Sequence, residues 1–294
     1  MAQVTVGVPV YNGADYLDKC LTCLRDQTYR DIEVLIFDNC SEDATGEIAQ
    51  RFCAADSRFR YFRQSQNLGP VANFVGVLEA AQAPFFMWRA ADDTSDLDYI
   101  ETLVALLLAH PERDVAVSRI VASLPDGHVK MVHPVSGFLD KGGAAGRFAQ
   151  LQNSHSAWFF GLFRREVIQP LLRKVVASYP YFWGWDDVTM FPLQFDRKVI
   201  GTNSTTFYQY LRFPTPPLDS AKRAARDDEK LEMGRCFLAF AHRHVDRTIT
   251  ARAERWFYHL MVAHFGNKRG YSFSKRLRRS LIRSSTSVLP RPTN

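Results

Sequence analysis

Val34-Leu35-Ile36-Phe37-Asp38-Asn39-Cys40-Ser41-Glu42-Asp43 is the stretch that decides the fold. An unbroken apolar run that stops on acid reads as a buried parallel strand with carboxylates at its end. A second such run, Phe85-Phe86-Met87-Trp88, leads into Arg89-Ala90-Ala91-Asp92-Asp93. In an open parallel sheet, ligands sit in the crevice beyond the carboxyl ends of the strands. Carboxylates placed there grip a nucleotide or hold a hard cation such as Mg²⁺ against phosphates.

Working outward, the neighbouring segments alternate in the same way. Val4 to Val10 reads as a first strand, closed by Tyr11-Asn12-Gly13. Leu17, Cys20, Leu21 and Leu24 follow at helical spacing, with Asn12 as N-cap. Ile48 and Phe52 mark a second helix, Phe59 to Phe62 a third strand, and Val71 to Ala81 a third helix. Ile100, Leu103, Val104 and Leu107 mark a fourth helix. Four strand–helix units in a row predict an α/β fold with a mostly parallel, doubly wound sheet, three layers deep.

Beyond residue 109 the regularity weakens. Val115–Val117, Val129–Val132 and Trp158–Phe163 read as strands, and 137–146 as a Gly-rich loop. A helix is expected over 167–176, with Pro170 in its first turn. Tyr181-Phe182-Trp183-Gly184-Trp185-Asp186-Asp187 adds a third acidic point among aromatics. The last strands of this part fall within 199–211. Phe213-Pro214-Thr215-Pro216-Pro217 reads as a stiff linker, followed by helices near 219–245, 248–265 and 272–284. The chain thus divides into 1–212, with a nucleotide-binding half at 1–108 and a second half at 109–212, and a helical lobe at 213–294.

Charge is distributed unevenly. From Lys268 onward there are eight basic residues and no acids. Setting those eight aside from the chain's 37 leaves 29 basic residues against 31 acidic ones. The body is therefore slightly acidic, which argues against nucleic acid as a partner, and the basic end suits an anionic surface. Phe273, Leu277, Leu281 and Ile282 among Lys275, Arg276, Arg278, Arg279 and Arg283 form a basic amphipathic pattern of the kind that lies on anionic lipid. Five cysteines show no disulfide framework. With no leader pattern at the N-terminus and no apolar run long enough to span a bilayer, the expected place is the cytoplasm, at the inner face of the membrane. Cys20 and Cys23 have redox spacing, but both fall inside a helical pattern and read as buried thiols. No His spacing suggests a metal; His155 could face an acceptor.

The motifs carry a resemblance. Val8-Pro9-Val10-Tyr11-Asn12 resembles the P-x-Y-N opening of family 2 glycosyltransferases. Asp38 to Thr45 is similar to their D-D/N-x-S-x-D-x-T loop, Asn67-Leu68-Gly69 with Asn73 to their N-x-G…N element, and Asp92-Asp93 to the end of their D-A-D-D signature. Gly161-Leu162-Phe163-Arg164-Arg165 and Gly184-Trp185-Asp186-Asp187 match more loosely. The resemblance implies a GT-A fold and transfer of a sugar from a nucleotide sugar, UDP- or dTDP-linked, with inversion. The acceptor would be a hydroxyl of a glycan or lipid-linked acceptor.

It implies roles as well. Pro9, Tyr11, Asn12, Asp38, Asn39, Asn67 and Asn73 would surround the nucleotide. Asp92 and Asp93 would hold a divalent cation, Mg²⁺ or Mn²⁺, on the diphosphate, whose developing charge needs a Lewis acid. Ala90 stands where the family pattern has a further acid. An inverting transfer needs a base for the acceptor hydroxyl, which falls to Asp187 or Asp186. Trp183 and Trp185 offer apolar faces to a sugar ring. Arg212 could help neutralise the diphosphate.

The acid pairs have plainer readings too: an Asx turn at Asp38 and helix N-termini at Asp92 and Asp186. Two other functions stay open. A nucleotidyltransferase would carry a Gly-rich basic loop after the first strand, which Val10-Tyr11-Asn12-Gly13-Ala14 lacks. A non-catalytic binding protein on the same scaffold is favoured by Ala90.

Overall fold

The computed structural model describes residues 2–136, 142–211 and 220–269, with only the helical backbone over 220–227. The chain forms two compact units, Met1–Thr215 and Pro216–Asn294, each described by itself.

The first unit is built on β1 (Val4–Val10), a strand whose seven residues are all buried. It pairs in parallel with β2 (Ile32–Asp38) on one side and β4 (Phe85–Trp88) on the other. β3 (Phe59–Arg63) adds in parallel to β2. The helices between them are α1 (Ala14–Arg25), α2 (Thr45–Ala55) and α3 (Pro70–Ala80), followed by α4 (Tyr99–Ala109). Their apolar stripes face the sheet: α1 buries Leu17, Cys20, Leu21 and Leu24, and α4 buries Ile100, Leu103, Val104 and Leu107. Each fully buried Leu or Val contributes roughly 1.5–3 kcal/mol, so the strand and helix faces specify each other.

The second half adds β6 (Val115–Ser123), β7 (Val129–His133), α5 (Gly143–Asn153), β8 (Leu162–Arg164), α6 (Arg165–Ser178), α7 (Trp185–Phe195) and β9 (Val199–Tyr210). With the two-residue β5 (Thr94–Ser95), the order across the sheet is β3-β2-β1-β4-β8-β6-β9-β5, and β7 pairs with β6. The sheet is parallel through β3-β2-β1-β4. It is mixed beyond that, because β8 is antiparallel to both β4 and β6. This is the α/β arrangement expected from the sequence.

Several local expectations need correction. Asn12 does not cap α1: the cap position is Gly13, and Asn12 has φ 48°. The run Trp158–Phe163 is not one strand but a 3₁₀ turn (Ser156–Phe160) leading into β8. That stretch is apolar throughout, so it lacks the alternation that fixes a strand face. Residues 143–146 belong to α5 rather than a loop, and 137–141 lie outside the described residues. α6 starts at Arg165, which places Pro170 in its second turn. The 199–211 stretch is a single strand, β9.

The second unit contains α8 (Ser220–Thr248) and α9 (Arg252–Lys268), packed as a hairpin through Phe237, Ala241 and Val245 on one side and Tyr258, Met261, Val262 and Phe265 on the other. The expected helix at 272–284, and Arg212, lie outside the described residues. No described helix is long and apolar enough to cross a membrane.

Candidate functional site

The parallel registers bring Val10, Asp38 and Trp88 to one edge of the sheet. Pro9 helps to open that edge. On the β4 side the ladder reaches its last bond, from the Arg89 N–H to the Gly7 carbonyl. The next bond would need an N–H from Pro9, which has none, so the strands part there.

The loops after β1 and β2 are sewn together. Ser41 Oγ accepts from the Asn12 N–H (2.9 Å), Thr45 Oγ1 from Gly13 (2.8 Å), and Asn12 Oδ1 from Glu42 (2.9 Å). Asp43 accepts from the Ala14 N–H at 3.0 Å. Burial pushes against ionisation of this carboxyl, but bonds from Thr45 and Ala14 outweigh it and leave it below the usual carboxylate range.

Asp38 is completely buried. Its Oδ1 accepts from the Ser41 N–H (2.8 Å), the Asx turn, and its Oδ2 accepts from Tyr61 Oη (2.6 Å). Burial, and then this bond to Asp38, push the Tyr61 hydroxyl up to about 12. Asn39 is equally enclosed: its Nδ2 donates to Asn67 Oδ1 (2.8 Å) and its Oδ1 accepts from the Leu68 N–H (2.8 Å). Asn73 reaches from α3 to the strand ends, donating to the Phe37 carbonyl at 2.8 Å and the Val10 carbonyl at 3.4 Å. Asp38, Asn39 and Asn73 therefore form a buried, hydrogen-bonded floor beneath the strand ends. The groups that face outward beside them are Tyr11, 46% exposed, Asn67 and Leu68. Nothing in a strand pattern marks Tyr61 as a side chain that closes onto a neighbouring strand.

The second acid pair sits in the loop after β4. Its reading as a helix cap is excluded, because α4 begins only at Tyr99. Asp92 is partly exposed and Asp93 is buried, with Asp93 Oδ1 accepting from the Tyr210 N–H of β9 at 2.8 Å. β5 pairs antiparallel with the same strand, so the loop is tied down at both ends. Arg89 lies wholly buried beside it. Its guanidinium lies over the Tyr99 and Phe207 rings (5.2 and 5.0 Å), with Nη2 donating to Ser95 Oγ (3.0 Å). Its Nε and Nη1 meet no acceptor among the described residues.

Two adjacent carboxylates are the hard oxygen donors that Mg²⁺ or Mn²⁺ takes when substrate phosphates complete its shell. No group of three His, Cys, Asp or Glu side chains that could hold a metal occurs among the described residues. Among the described residues the pair finds no third protein ligand, so it fits an ion whose shell a diphosphate would help to complete.

The third acid pair opens α7. Gly184, at φ 81°, makes the left-handed turn into the helix, a conformation that a side chain would strain. Asp186 and Asp187 occupy the first turn, partly exposed, with the Asp187 N–H donating to Asp186 Oδ1 at 2.9 Å. The helix-terminus reading therefore holds, and it leaves both carboxylates at the surface. A cavity of about 150 Å³ adjoins them, lined by Phe74, Phe159, Phe182, Trp183, Trp185 and Asp186. Trp183 is 64% exposed, whereas Trp185 is buried and belongs to the wall. Ring contacts run from Trp185 to Phe159 (5.8 Å) and from Phe159 to Trp88 at the end of β4 (4.4 Å). This chain of rings links the start of α7 to the end of β4. His155 is engaged elsewhere: its Nδ1 accepts from the Ala157 N–H, capping the 3₁₀ turn, and its ring stacks near His133.

A larger cavity, about 400 Å³, opens at the opposite edge of the sheet between Gln3, Gln82, Phe85 and Arg164. None of the three acid pairs lines it, and ligands of open α/β sheets bind at the carboxyl edge.

Acids follow β2 and β4 at the carboxyl edge of an open sheet, and a further pair opens α7, on a protein of the α/β class. The sequence profile of glycosyl transferase family 2 matches residues 5–172, more than half of the chain, and the chain belongs to that family. It is 36% identical over 115 residues to glycosyltransferase GlyA of Streptococcus pneumoniae serotype 4. That match takes in 39% of this chain and 16% of the relative, so it covers only a small part of that protein. The fold is similar to that of S. aureus TarS 1-349 in complex with UDP, with TM-score 0.64 and 19% identity over 94% of this chain and 73% of that one. It is also similar to the mannosyltransferase PcManGT from Pyrobaculum calidifontis in complex with GDP-Man and Mn²⁺, with TM-score 0.55 and 18% identity over 99% and 81% of the two chains. The fold is thus the GT-A arrangement.

Proposed function

We propose that this chain moves a sugar from a nucleotide sugar, UDP- or dTDP-linked, to a hydroxyl of a glycan or lipid-linked acceptor, with inversion, in the synthesis of cell-surface polysaccharide. The observation that carries the reading is the placing of Asp38 at the end of one parallel strand and of Asp92-Asp93 after another, both strands ending at one edge of the sheet, with Asp186-Asp187 beside an aromatic cavity. Tyr11 and Asn67, over the floor made by Pro9, Asn12, Asp38, Asn39 and Asn73, hold the base. Asp92 and Asp93 face the diphosphate. A divalent cation held there supplies charge neutralisation to the departing nucleoside diphosphate. On the other side, Asp187 takes the proton of the acceptor hydroxyl, with Asp186 as support. The acceptor oxygen forms its bond to the anomeric carbon as the bond to the diphosphate oxygen breaks. Trp183 offers a face to the acceptor. Work on a lipid-linked acceptor would place the enzyme in the cytoplasm, at the inner face of the membrane, with its basic end against anionic lipid.

Titration calorimetry with UDP and dTDP, with and without Mn²⁺, tests the site. Metal-dependent binding is expected, and a chain that binds no nucleoside diphosphate overturns the reading. Asp187→Asn should abolish transfer while leaving donor binding intact; surviving transfer moves the base elsewhere. Ala90 favours one second reading, a nucleotide- or glycan-binding protein without transfer, since the acid expected there is missing. Mass spectrometry of mixtures with nucleotide sugars separates the two, because a binding protein leaves every donor intact.

A further inference from the structure

α9 is apolar on two opposite faces. Tyr258, Met261, Val262 and Phe265 are buried in the hairpin with α8, with Phe265 ring to ring against Phe237 at 5.9 Å. On the other side, Trp256 is 68% exposed, Leu260 51% and Phe257 47%. Trp256 and Leu260 are one helical turn apart, and Ala263 continues their line. A helix that needed only its partner helix would carry polar residues there. Large side chains on an outward stripe instead mark a surface built to be covered.

We infer that the Trp256–Phe257–Leu260 face of α9 seats on an anionic membrane surface. This rests on reading the chain's basic end as a bilayer contact, and extends it to the helix immediately before that end. Aromatic rings among basic residues suit the headgroup layer, where one end of the side chain is dry and the other wet. Exposed Arg252 and Lys268 stand at the two ends of α9, and Glu254 is its single acid. From Lys268 the chain continues with seven further basic residues and no acid. Charge also decides against a second copy as occupant. Pairing α9 with itself would bring two such basic ends together, whereas anionic lipid neutralises them.

The test is co-sedimentation of the full chain with vesicles of phosphatidylcholine alone, or of phosphatidylcholine with phosphatidylglycerol. The wild type should sediment with the anionic vesicles only, and less so in high salt. Trp256→Ser/Leu260→Ser should weaken that partitioning by about tenfold or more, since the buried apolar area supplies much of the hold. Both positions are exposed, and circular dichroism checks that the helices remain. As a second measure, Trp emission should shift to the blue on adding anionic vesicles, and Trp256→Phe should remove the shift. If the double variant binds like the wild type, the inference falls and the basic end alone is the contact. If the wild type ignores anionic vesicles, both fall together. If the double variant instead turns a dimer into a monomer, a second copy covers the face and the inference is wrong.

Discussion

Asp38 is met by two donors and no solvent, which makes it the most committed side chain at the carboxyl edge of the sheet. Its value lies in what it holds: the start of the β2 loop on one oxygen and the β3 strand, through Tyr61, on the other. Tyr61→Phe leaves Asp38 Oδ2 buried without that donor. The expected cost is about 1–3 kcal/mol, read as a lower urea midpoint at unchanged slope. Nucleotide affinity should fall with it, because the loop that begins at Asn39 loses one anchor. Arg89 is a different case. Its charge is buried against rings, with two of its nitrogens meeting no acceptor among the described residues, so the charge itself adds little to stability. Arg89→Met should therefore leave stability within about 1 kcal/mol of the wild type, or raise it, in the same urea titration.

Among the elements, α3 does the most to position the site. It approaches β1 so closely that a Cβ on Gly7 would stand 2.8 Å from Val77. Gly7→Ala must push the helix away, with an expected loss of about 1–3 kcal/mol. Because α3 also carries Asn73 and Phe74, nucleotide binding should weaken more than a distant variant of equal stability would predict. The helical hairpin offers a test by pH. His259 Nε2 lies 3.2 Å from Asp246 and its Nδ1 lies 2.7 Å from His242 Nδ1. Burial, and then the neighbouring His259, lower the His242 pKa below 6.5. A histidine lowered in the folded state stabilises fully above its unfolded value and loses that contribution as the pH falls through the folded one. Amide exchange in α8 and α9 should therefore speed up, after correction for intrinsic rates, as the pH drops below about 6.5, and His242→Gln should blunt the change.

The elements also differ in how far the sequence discloses them. β1 to α4 were legible because each strand is an unbroken buried run and each helix a clean stripe, so period and turn agree. Asp38 and Asp92-Asp93 were legible because they sit where two of those runs stop, and Asp186-Asp187 because it follows an aromatic segment. Trp158–Phe163 was not, since continuous apolarity serves a 3₁₀ turn as well as a strand. The buried state of Asp38, Asn39 and Trp185 was not legible either, because it depends on side chains from other strands.

At the scale of the whole molecule, the site is assembled from distant parts of the chain. Every motif of the loops after β1, β2, β3 and β4 lies before residue 94, yet Asp93 is fixed by the Tyr210 N–H, 117 residues later. β6 likewise pairs with β9 along its length, from Val115 opposite Val199 to Ser123 opposite Tyr210. This has a consequence for the order of synthesis. As the chain leaves the ribosome, the stretch that bears the recognisable motifs emerges first and cannot finish its own crevice. It must wait, with β5 unpaired and the acid loop slack, until β9 has been made and laid against β6. A fragment ending before Val199 would therefore contain all three acidic landmarks and still lack the tether on Asp93. The stretch that ends before Val199 is in this sense a half-built vessel, whose rim is closed by the least recognisable part of the sequence.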